Sequence, residues 1–383
     1  MSVNQDRFPT DKIVIQTHSN RFHCDELIAV ALLNKHYTEN GYSVSVLRSR
    51  DSEKFKTSDI LVDVGMEYNP ATHRFDHHQK NCNEKWENSE IPLSSVGLIW
   101  RHYGAQIMSS YLRTNFEDEY DNQTITELVN RIYFKLIIDI DANDNGVTYN
   151  STNLNLPSIV SAMNGDTSDD ESQDTQFQKA MLLVSEIFSI KVKEIVNSYF
   201  SFQKDLEVTK KLIDEVDFIR VNEGKDIKYL VLSKDVPTIY KCLGKLDPDY
   251  RIVFLIVSNE TNKEYSVKAR RPFGERYTSL CPIAPQEELS KHLPVEDIVF
   301  VHKGLFIAKF KTLESAIKAV EISLEYKNNI EEQKESAQKK ENCSDLVEQE
   351  VRVISTTKVD KRVLIGVGLL GAIGGYIYWK NSN

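Results

Sequence analysis

Histidine and aspartate gather in four separate stretches of the chain: His18, His23 and Asp25; Asp63; Asp76, His77 and His78; and Asp141 with Asp144. None of the four offers a ligand-like pair of thiolates. Imidazole mixed with carboxylate suits Mn²⁺ or Mg²⁺ better than structural zinc, which favours closed, sulfur-rich tetrahedra. So many carboxylates in one site would need two divalent ions to offset their repulsion. Two such ions about 3.5 to 4 Å apart can hold a hydroxide and neutralise phosphoryl oxygens, so phosphoester hydrolysis is the chemistry this set would serve. Any one His or Asp at a strand end is more often a cap or a turn residue. The recurrence in four stretches carries the reading. Asp141 and Asp144 could simply close a helix, although acidic groups at a helix C-terminus oppose its dipole.

The apolar pattern says which elements would position these groups. Residues 13–17 read as a strand that runs into the His18 to Glu26 loop and then into the helical run 27–33, which is the βα unit of a parallel sheet. Strands are also expected at 44–48 and 60–64. In such sheets ligands bind beyond the carboxyl ends of the strands, which is where His18, Asp63 and the 76–78 run would fall. Residues 94–103 and 125–140 read as helices, with Asn145-Gly146 as a stop signal after the second. The Ser-, Asn- and Asp-rich stretch 150–174 is expected to be a loop or insertion. Apolar residues at helical spacing over 177–213 predict one long helix. Strands at 217–221, 229–232, 251–257, 265–270 and 298–301 and an amphipathic helix over 312–326 would complete a second domain. The expected division is a metal-binding catalytic domain at 12–175, a connecting helix at 176–214, a substrate-binding domain at 215–326 and a charged linker at 327–362.

The 383 residues allow two cores, and the formal charge of -10 argues against a protein that coats nucleic acid by bulk electrostatics, so any nucleic-acid site must be local. Five scattered cysteines without a Cys-x-x-Cys pair read as a reduced intracellular protein. The polar start of the chain gives no reason to expect a secretory leader. Near the C-terminus, the uncharged segment 363–379 opens on Val363, closes on Trp379 and is flanked by Lys361, Arg362 and Lys380. It is expected to be a single-pass tail anchor with the enzyme facing the cytosol, and the outer mitochondrial membrane is favoured over the endoplasmic reticulum. Gly371 and Gly375 could bring two such helices together as a homodimer.

Five motifs occur in one order: His18-x4-His23-x-Asp25-Glu26, Val62-Asp63-Val64-Gly65, His73-Arg74-Phe75-Asp76-His77-His78-Gln79, Leu93-Ser94-Ser95-x-Gly97-Leu98-Ile99 and Asp141-Ala142-Asn143-Asp144-Asn145-Gly146. Together they closely resemble the Myg exonuclease family, named for a melanocyte-proliferating gene, within the DHH phosphoesterase superfamily. The resemblance runs over residues 12–325. It implies a metal site in an N-terminal α/β domain, a smaller domain that holds substrate, and 3′-to-5′ exonuclease activity on RNA. It also implies that His18, His23, Asp25, Asp63 and His77 are metal ligands, joined by Asp141 or Asp144, with Asp63 bridging. Asp76 would orient a histidine, and His78 would sit near the scissile phosphate. One departure stands out. Where the superfamily has a glycine-rich turn followed by His, this chain has Gly304-Leu305-Phe306-Ile307-Ala308-Lys309, so Lys309 could supply charge instead of backbone donors. Arg270 and Arg271, in a run of cations and aromatics, are further candidates for holding a single strand.

The expected fold is α/β: a parallel-sheet, DHH-type N-terminal domain, a second, smaller α+β domain and a C-terminal transmembrane helix. The expected function is phosphodiester hydrolysis with two Mn²⁺ or Mg²⁺ ions, acting on single-stranded RNA or a short oligonucleotide. Two alternatives are a phosphoesterase for oligonucleotides or pyrophosphate and a non-catalytic membrane-tethered scaffold.

Overall fold

A computed structural model of the chain describes residue 8 and residues 10–116, 120–147, 155–164, 170–272 and 279–333. The chain divides into two compact units, Met1–Glu207 and Val208–Asn383.

In the first unit, β1 (Lys12–Thr17), α1 (Cys24–Glu39), β2 (Ser43–Arg48), the short α2 (Ser52–Phe55), β3 (Ile60–Val62), β4 (Tyr68–Asn69) and β5 (Arg74–Phe75) follow in sequence. The sheet order is β2-β1-β3-β5-β4. All pairs are parallel except β4 with β5. Parallel strands are buried on both faces, and Ile13, Ile15, Ile60 and Val62 are accordingly fully buried. Helix α1 buries every residue from Cys24 to Val30. Each large aliphatic side chain so covered contributes about 1.5 to 3 kcal/mol. Because β1, β3 and β5 run in one direction, His18, Asp63 and Asp76 to His78 emerge at the same end of the sheet.

Helix α3 (Ser95–Phe116) packs its fully buried Trp100 into the same core. After α4 (Asn122–Ile132), a π-helical segment Tyr133–Ile137 leads into α5 (Ile138–Asp144). The single helix expected over 125–140 is thus three segments, and its last turn carries Asp141 and Asp144. The stretch expected to be a loop contains α6 (Leu156–Met163), because Asn155 caps it by accepting from the Ser158 amide at 2.9 Å. The polar residues there serve as helix start signals. Helix α7 (Asp170–Glu223) passes from the first unit into the second. It takes in residues 217–221, expected from the sequence to form a strand. Ile213 and Val216 are buried while Phe218 and Val221 are exposed, so the burial follows the turn of a helix and not an alternation.

The second unit holds β6 (Tyr229–Leu232), α8 (Ile239–Leu246), β7 (Phe254–Asn259), β8 (Glu264–Ala269), α9 (Gln286–Leu289), β9 (Ile298–Val301) and β10 (Ile307–Phe310), followed by a helix, α10, over 313–333. The sheet order is β6-β7-β8-β10-β9. Only β6 and β7 are parallel. Phe254, Ile256, Val267, Ala308 and Phe310 form the heart of its larger core.

The expected C-terminal anchor, 363–379, lies outside the described residues. No helix among the described residues is long and apolar enough to cross a membrane. The fold is therefore corrected to a mixed α/β chain with two sheets and, among the described residues, no transmembrane helix, and the membrane location inferred from such a helix is withdrawn with it.

Candidate metal centre

Each functional side chain is placed by the end of an element. His18 follows β1 and is 2% exposed, with Nε2 3.1 Å from Glu26 Oε1 and 3.2 Å from Asp63 Oδ2. Asp25 and Glu26 lie in the first turn of α1, where the helix dipole favours anions, and both are fully buried. Glu26 Oε1 also accepts from the His23 amide at 2.7 Å, which ties the cap of α1 to the centre. Asp63 follows β3 with a left-handed φ of 58°, a conformation aspartate tolerates better than most residues. The turn leaves its amide bonded to the Phe75 carbonyl while its carboxylate faces two sets of imidazoles. Oδ2 is near His18, whereas Oδ1 lies 3.4 Å from His77 Nε2 and 3.5 Å from His78 Nδ1. His77 Nε2 is also 3.0 Å from Asp144 Oδ2.

Among the described residues, three groups of potential ligands result: His18, His23, Glu26 and Asp63; Asp63, His77 and His78; and His23, Asp25 and Asp144. The first two share Asp63 and the first and third share His23. A cavity of about 540 Å³, lined by His23, His77, His78, Asn143 and Asp144 among others, gives access to them.

The electrostatics show the strain of gathering these charges. Burial lowers the His18 and His77 imidazoles, but carboxylate neighbours outweigh it: Asp63 and Glu26 carry His18 up to about 10, and Asp144 and Asp63 carry His77 up to about 10. Burial works to raise Asp63, yet His18 and His77 hold it well below the usual carboxylate range. Asp25 is pushed well above that range, first by burial and then by Asp63, Asp144 and Glu26. Burial, with Glu26 and Asp144, also pushes up the thiol of Cys24, which leaves it a poor metal ligand.

The residues fit a divalent cation. His18 Nε2, His77 Nε2, Asp25 Oδ1 and Glu26 Oε2 are buried without a hydrogen-bond partner among the described residues, although opposite charges stand nearby. Buried polar atoms are rarely left so, and a cation coordinated by imidazole nitrogen and carboxylate oxygen would satisfy them together.

Asp141 is not in these groups. It is fully buried, and its Oδ1 accepts from the Ser94 amide at 3.0 Å and the Ser94 hydroxyl at 2.7 Å. Burial pushes its carboxyl up to about 7 against these bonds. Of the two aspartates left open by the sequence, Asp144 reaches the cluster and Asp141 braces the start of α3. Next to it, the Ser95 hydroxyl donates to Asp63 Oδ1 at 2.9 Å and the Ser95 amide to Asp25 Oδ2 at 3.3 Å. Asp76 is buried, accepts from the Met66 amide at 2.7 Å and from His78 through both the amide and Nδ1, and so orients His78. The His78 side chain is 52% exposed.

The sequence reading passed over Glu26 as a ligand and Ser94 and Ser95 as supports. The signal for Glu26 was its place three residues after the helix cap, which is read as a capping box before it is read as a ligand.

In the second unit, Arg270 is 2% exposed, and Nη1 donates to Asp247 Oδ2 at 2.6 Å and to the Ile252 carbonyl at 3.0 Å. Nη2 donates to the Leu243 and Asp247 carbonyls. Both of its Nη groups are thus spent inside the protein. Arg271 lies over the Phe306 ring, 4.8 Å from its centroid, and Lys309 Nζ is 3.5 Å from a Glu264 carboxylate oxygen.

The rat MYG1 exonuclease is 28% identical over 338 residues, which cover 81% of this chain and 84% of that protein. The human MYG1 exonuclease matches at 28% over 81% of this chain and 85% of that protein, and the MYG1 protein C27H6.8 of Caenorhabditis elegans at 29% over 82% and 96%. Among solved structures, RecJ from Thermus thermophilus in complex with Mn²⁺ has a TM-score of 0.24 and 14% identity, covering 82% of this chain and 52% of its own, so this chain spans about half its length. An exonuclease RecJ bound to manganese has a TM-score of 0.23 and 15% identity, covering 82% of this chain and 89% of its own. The MYG1_exonuc family model, described as an uncharacterised protein family (UPF0160), matches residues 14–324, and the chain belongs to that family.

Proposed function

We propose that the protein is a divalent-metal-dependent phosphodiester hydrolase, a 3′-to-5′ exonuclease acting on single-stranded RNA or short oligonucleotides. The observation that carries this reading is the Asp63 carboxylate, with one oxygen toward His18 and the other toward His77 and His78, a placement from which it would be able to serve a cation on either side. The names of the MYG1 exonuclease relatives support the class of reaction. The proposed ligands are His18, His23, Asp25, Asp63, His77 and Asp144, with Glu26 added, for two Mn²⁺ or Mg²⁺ ions. When bound, such ions lower the pKa of water and neutralise charge on phosphoryl oxygens.

The chain's own residues then divide the remaining work. Ser95 holds Asp63 and Asp25 in register, as ligating carboxylates require of their neighbours. Asp76 fixes the ring of His78, whose exposed edge is proposed to stabilise charge developing on the scissile phosphate. Residues 12–175 are proposed as the catalytic domain and 215–326 as the substrate-binding domain, where Arg271 and Lys309 present positive charge. Arg270 is proposed to act there by holding the strand end, since its guanidinium is already occupied.

The test is to incubate the purified chain with Mn²⁺ and end-labelled single-stranded RNA, a short oligonucleotide and pyrophosphate in parallel. Stepwise shortening of 5′-labelled RNA, abolished by EDTA, is expected. Cleavage of pyrophosphate alone would move the assignment to a small-molecule phosphoesterase, and no cleavage of any of the three would sink the catalytic reading.

A further inference from the structure

The sheet of the second unit ends on β9, which has β10 on one side and, among the described residues, no strand on the other. An open edge presents a row of backbone donors and acceptors that another strand can use, and proteins ordinarily blunt it with charge or proline. The residues Ile298–Val301 carry neither. Val299 is 42% exposed and Phe300 44%, so two large apolar side chains stand next to each other in water at this edge.

The ladder between β9 and β10 shifts register between Lys309 and Phe310, where Val299 is the extra residue on β9. The Asp297 carbonyl accepts from the Lys311 amide at 3.0 Å, and the His302 amide donates to the Ile307 carbonyl at 3.0 Å, so the backbone faces β10 at both residues. Backbone groups alternate in direction along a strand, so the amides and carbonyls of Ile298 and Val301 face away from β10. In a regular strand two residues three positions apart would face opposite sides. The bulge brings both to the open edge.

The flanks of the strand are complementary to each other. Glu296 precedes it and Lys303 follows it; both are exposed, and neither has an ion pair among the described residues. Asp297, beside Glu296, is held by the Ser315 hydroxyl, which donates to its Oδ2 at 2.6 Å. When two copies of a strand run antiparallel about a two-fold axis, residue i meets residue j and j meets i. With the axis between Val299 and Phe300, Ile298 meets Val301 of the second copy, Val299 meets Phe300, and the end that carries Glu296 meets the end that carries Lys303. Ile298 and Val301 are the residues whose amides and carbonyls point outward. The register that matches the charges is thus also the one that closes the hydrogen bonds.

We propose that β9 is a homodimerisation edge, on which a second copy of this chain adds its own β9 antiparallel and joins the two sheets into one. The occupant is a second copy because the apolar centre and oppositely charged flanks complement themselves, whereas a partner of a single charge would match one flank and oppose the other. The inference is independent of the activity proposed above. Standard interfaces engage about 20 to 30 residues a side, and β9 with its flanks supplies fewer, so the dimer is expected to dissociate in the micromolar range.

Sedimentation velocity of the full chain from about 1 to 100 μM is expected to show a reversible equilibrium between monomer and dimer. Glu296→Lys and Lys303→Glu each set like charges together twice per dimer, and each is expected to weaken association at least about tenfold. Mixed in equal amounts, the two variants present opposite charges at both contacts, so the mixture is expected to recover the dimer of the unmodified chain. Phe300→Lys puts charge at the centre of the edge and is expected to leave monomer alone. All three positions are exposed, and circular dichroism checks that each variant keeps its fold. An unmodified chain that stays monomeric to about 100 μM overturns the proposal. A dimer unchanged in both single charge variants also overturns it and moves the contact elsewhere, the apolar segment 363–379 included. A mixture that associates no better than its components overturns the antiparallel register on which the edge depends.

Discussion

Two buried clusters of charge, one in each unit, solve the same problem in opposite ways. In the second unit, the Asp247 carboxylate is fully buried and accepts from the amides of Arg251 and Ile252 and from the side chains of Arg251 and Arg270. Arg270 in turn bonds three carbonyls. In the first unit, the carboxylates of Asp25 and Glu26 and the imidazoles of His18 and His77 crowd together and still leave buried atoms without a hydrogen-bond partner among the described residues. A buried ion pair is retained when hydrogen bonds complete it. A buried cluster left incomplete points to a missing participant, so the satisfied cluster is structural and the unsatisfied one is a candidate for function.

Breaking this contrast should give the largest effects. Asp63→Asn keeps the shape of the side chain and removes its charge, and it is expected to lower metal-dependent hydrolysis by about 10³-fold or more while the chain stays folded. A steady-state assay with circular dichroism in EDTA measures both, and turnover within about tenfold of wild type would refute a role for Asp63 between two cations. Asp247→Ala should do the reverse, because it strands the Arg270 guanidinium inside the protein. A loss of about 3 to 5 kcal/mol in urea unfolding is expected, and a loss below about 1 kcal/mol would mean that the pair is not the structural element described.

Metal itself sharpens the comparison. Mn²⁺ at about a hundred times its dissociation constant should stabilise the chain by about 2.7 kcal/mol, read as a shift of the unfolding midpoint that EDTA reverses. The imidazoles of His18 and His77, raised to about 10 without metal, hold protons near neutral pH, and ligation requires them neutral. Binding should therefore release protons and tighten as pH rises, which calorimetry in two buffers of different ionisation enthalpy detects. In EDTA the sign is opposite: the raised pKa values stabilise the fold fully below about pH 6.5, and that contribution fades as pH climbs through about 10. An affinity that does not change between pH 6 and pH 8 would count against these imidazoles as ligands.

The sheet and the gathering of candidate ligands at one end of it were legible because both depend on short-range signals. Apolar runs such as 13–17 and 60–64 mark buried parallel strands, and polar groups that follow such runs fall at one end of the sheet by topology alone. What could not be read depended on partners far away in sequence. Arg270 looked like a surface cation in a basic run, since nothing local reveals Asp247 as its internal partner across 23 positions. Asp141 and Asp144 lie three apart on one helical face, so spacing alone cannot tell which of them bonds to the start of α3; Ser94, 47 positions before Asp141, is the partner that makes it Asp141. Residues 217–221 have the composition of a strand, and only the continuation of α7 makes them helical.

The smallest effect expected concerns the brace. A Cβ placed on Gly97 would lie 2.6 Å from both carboxylate oxygens of Asp141, closer than side-chain atoms pack, so Gly97 is the position at which α3 can come against that aspartate. Gly97→Ala must move either Asp141 or the first turn of α3. The move would carry Ser94 and Ser95 with it, and Ser95 is the residue that donates to Asp63 and Asp25. Neither serine is a proposed ligand, so the centre should survive with its geometry loosened, as happens when a hydrogen-bonding support of a ligand is disturbed. Metal affinity is expected to fall about 10- to 100-fold with the chain still folded, measured by competition with a chromophoric chelator. An affinity within twofold of wild type would show that the contact between α3 and Asp141 is packing alone, without influence on the metal centre.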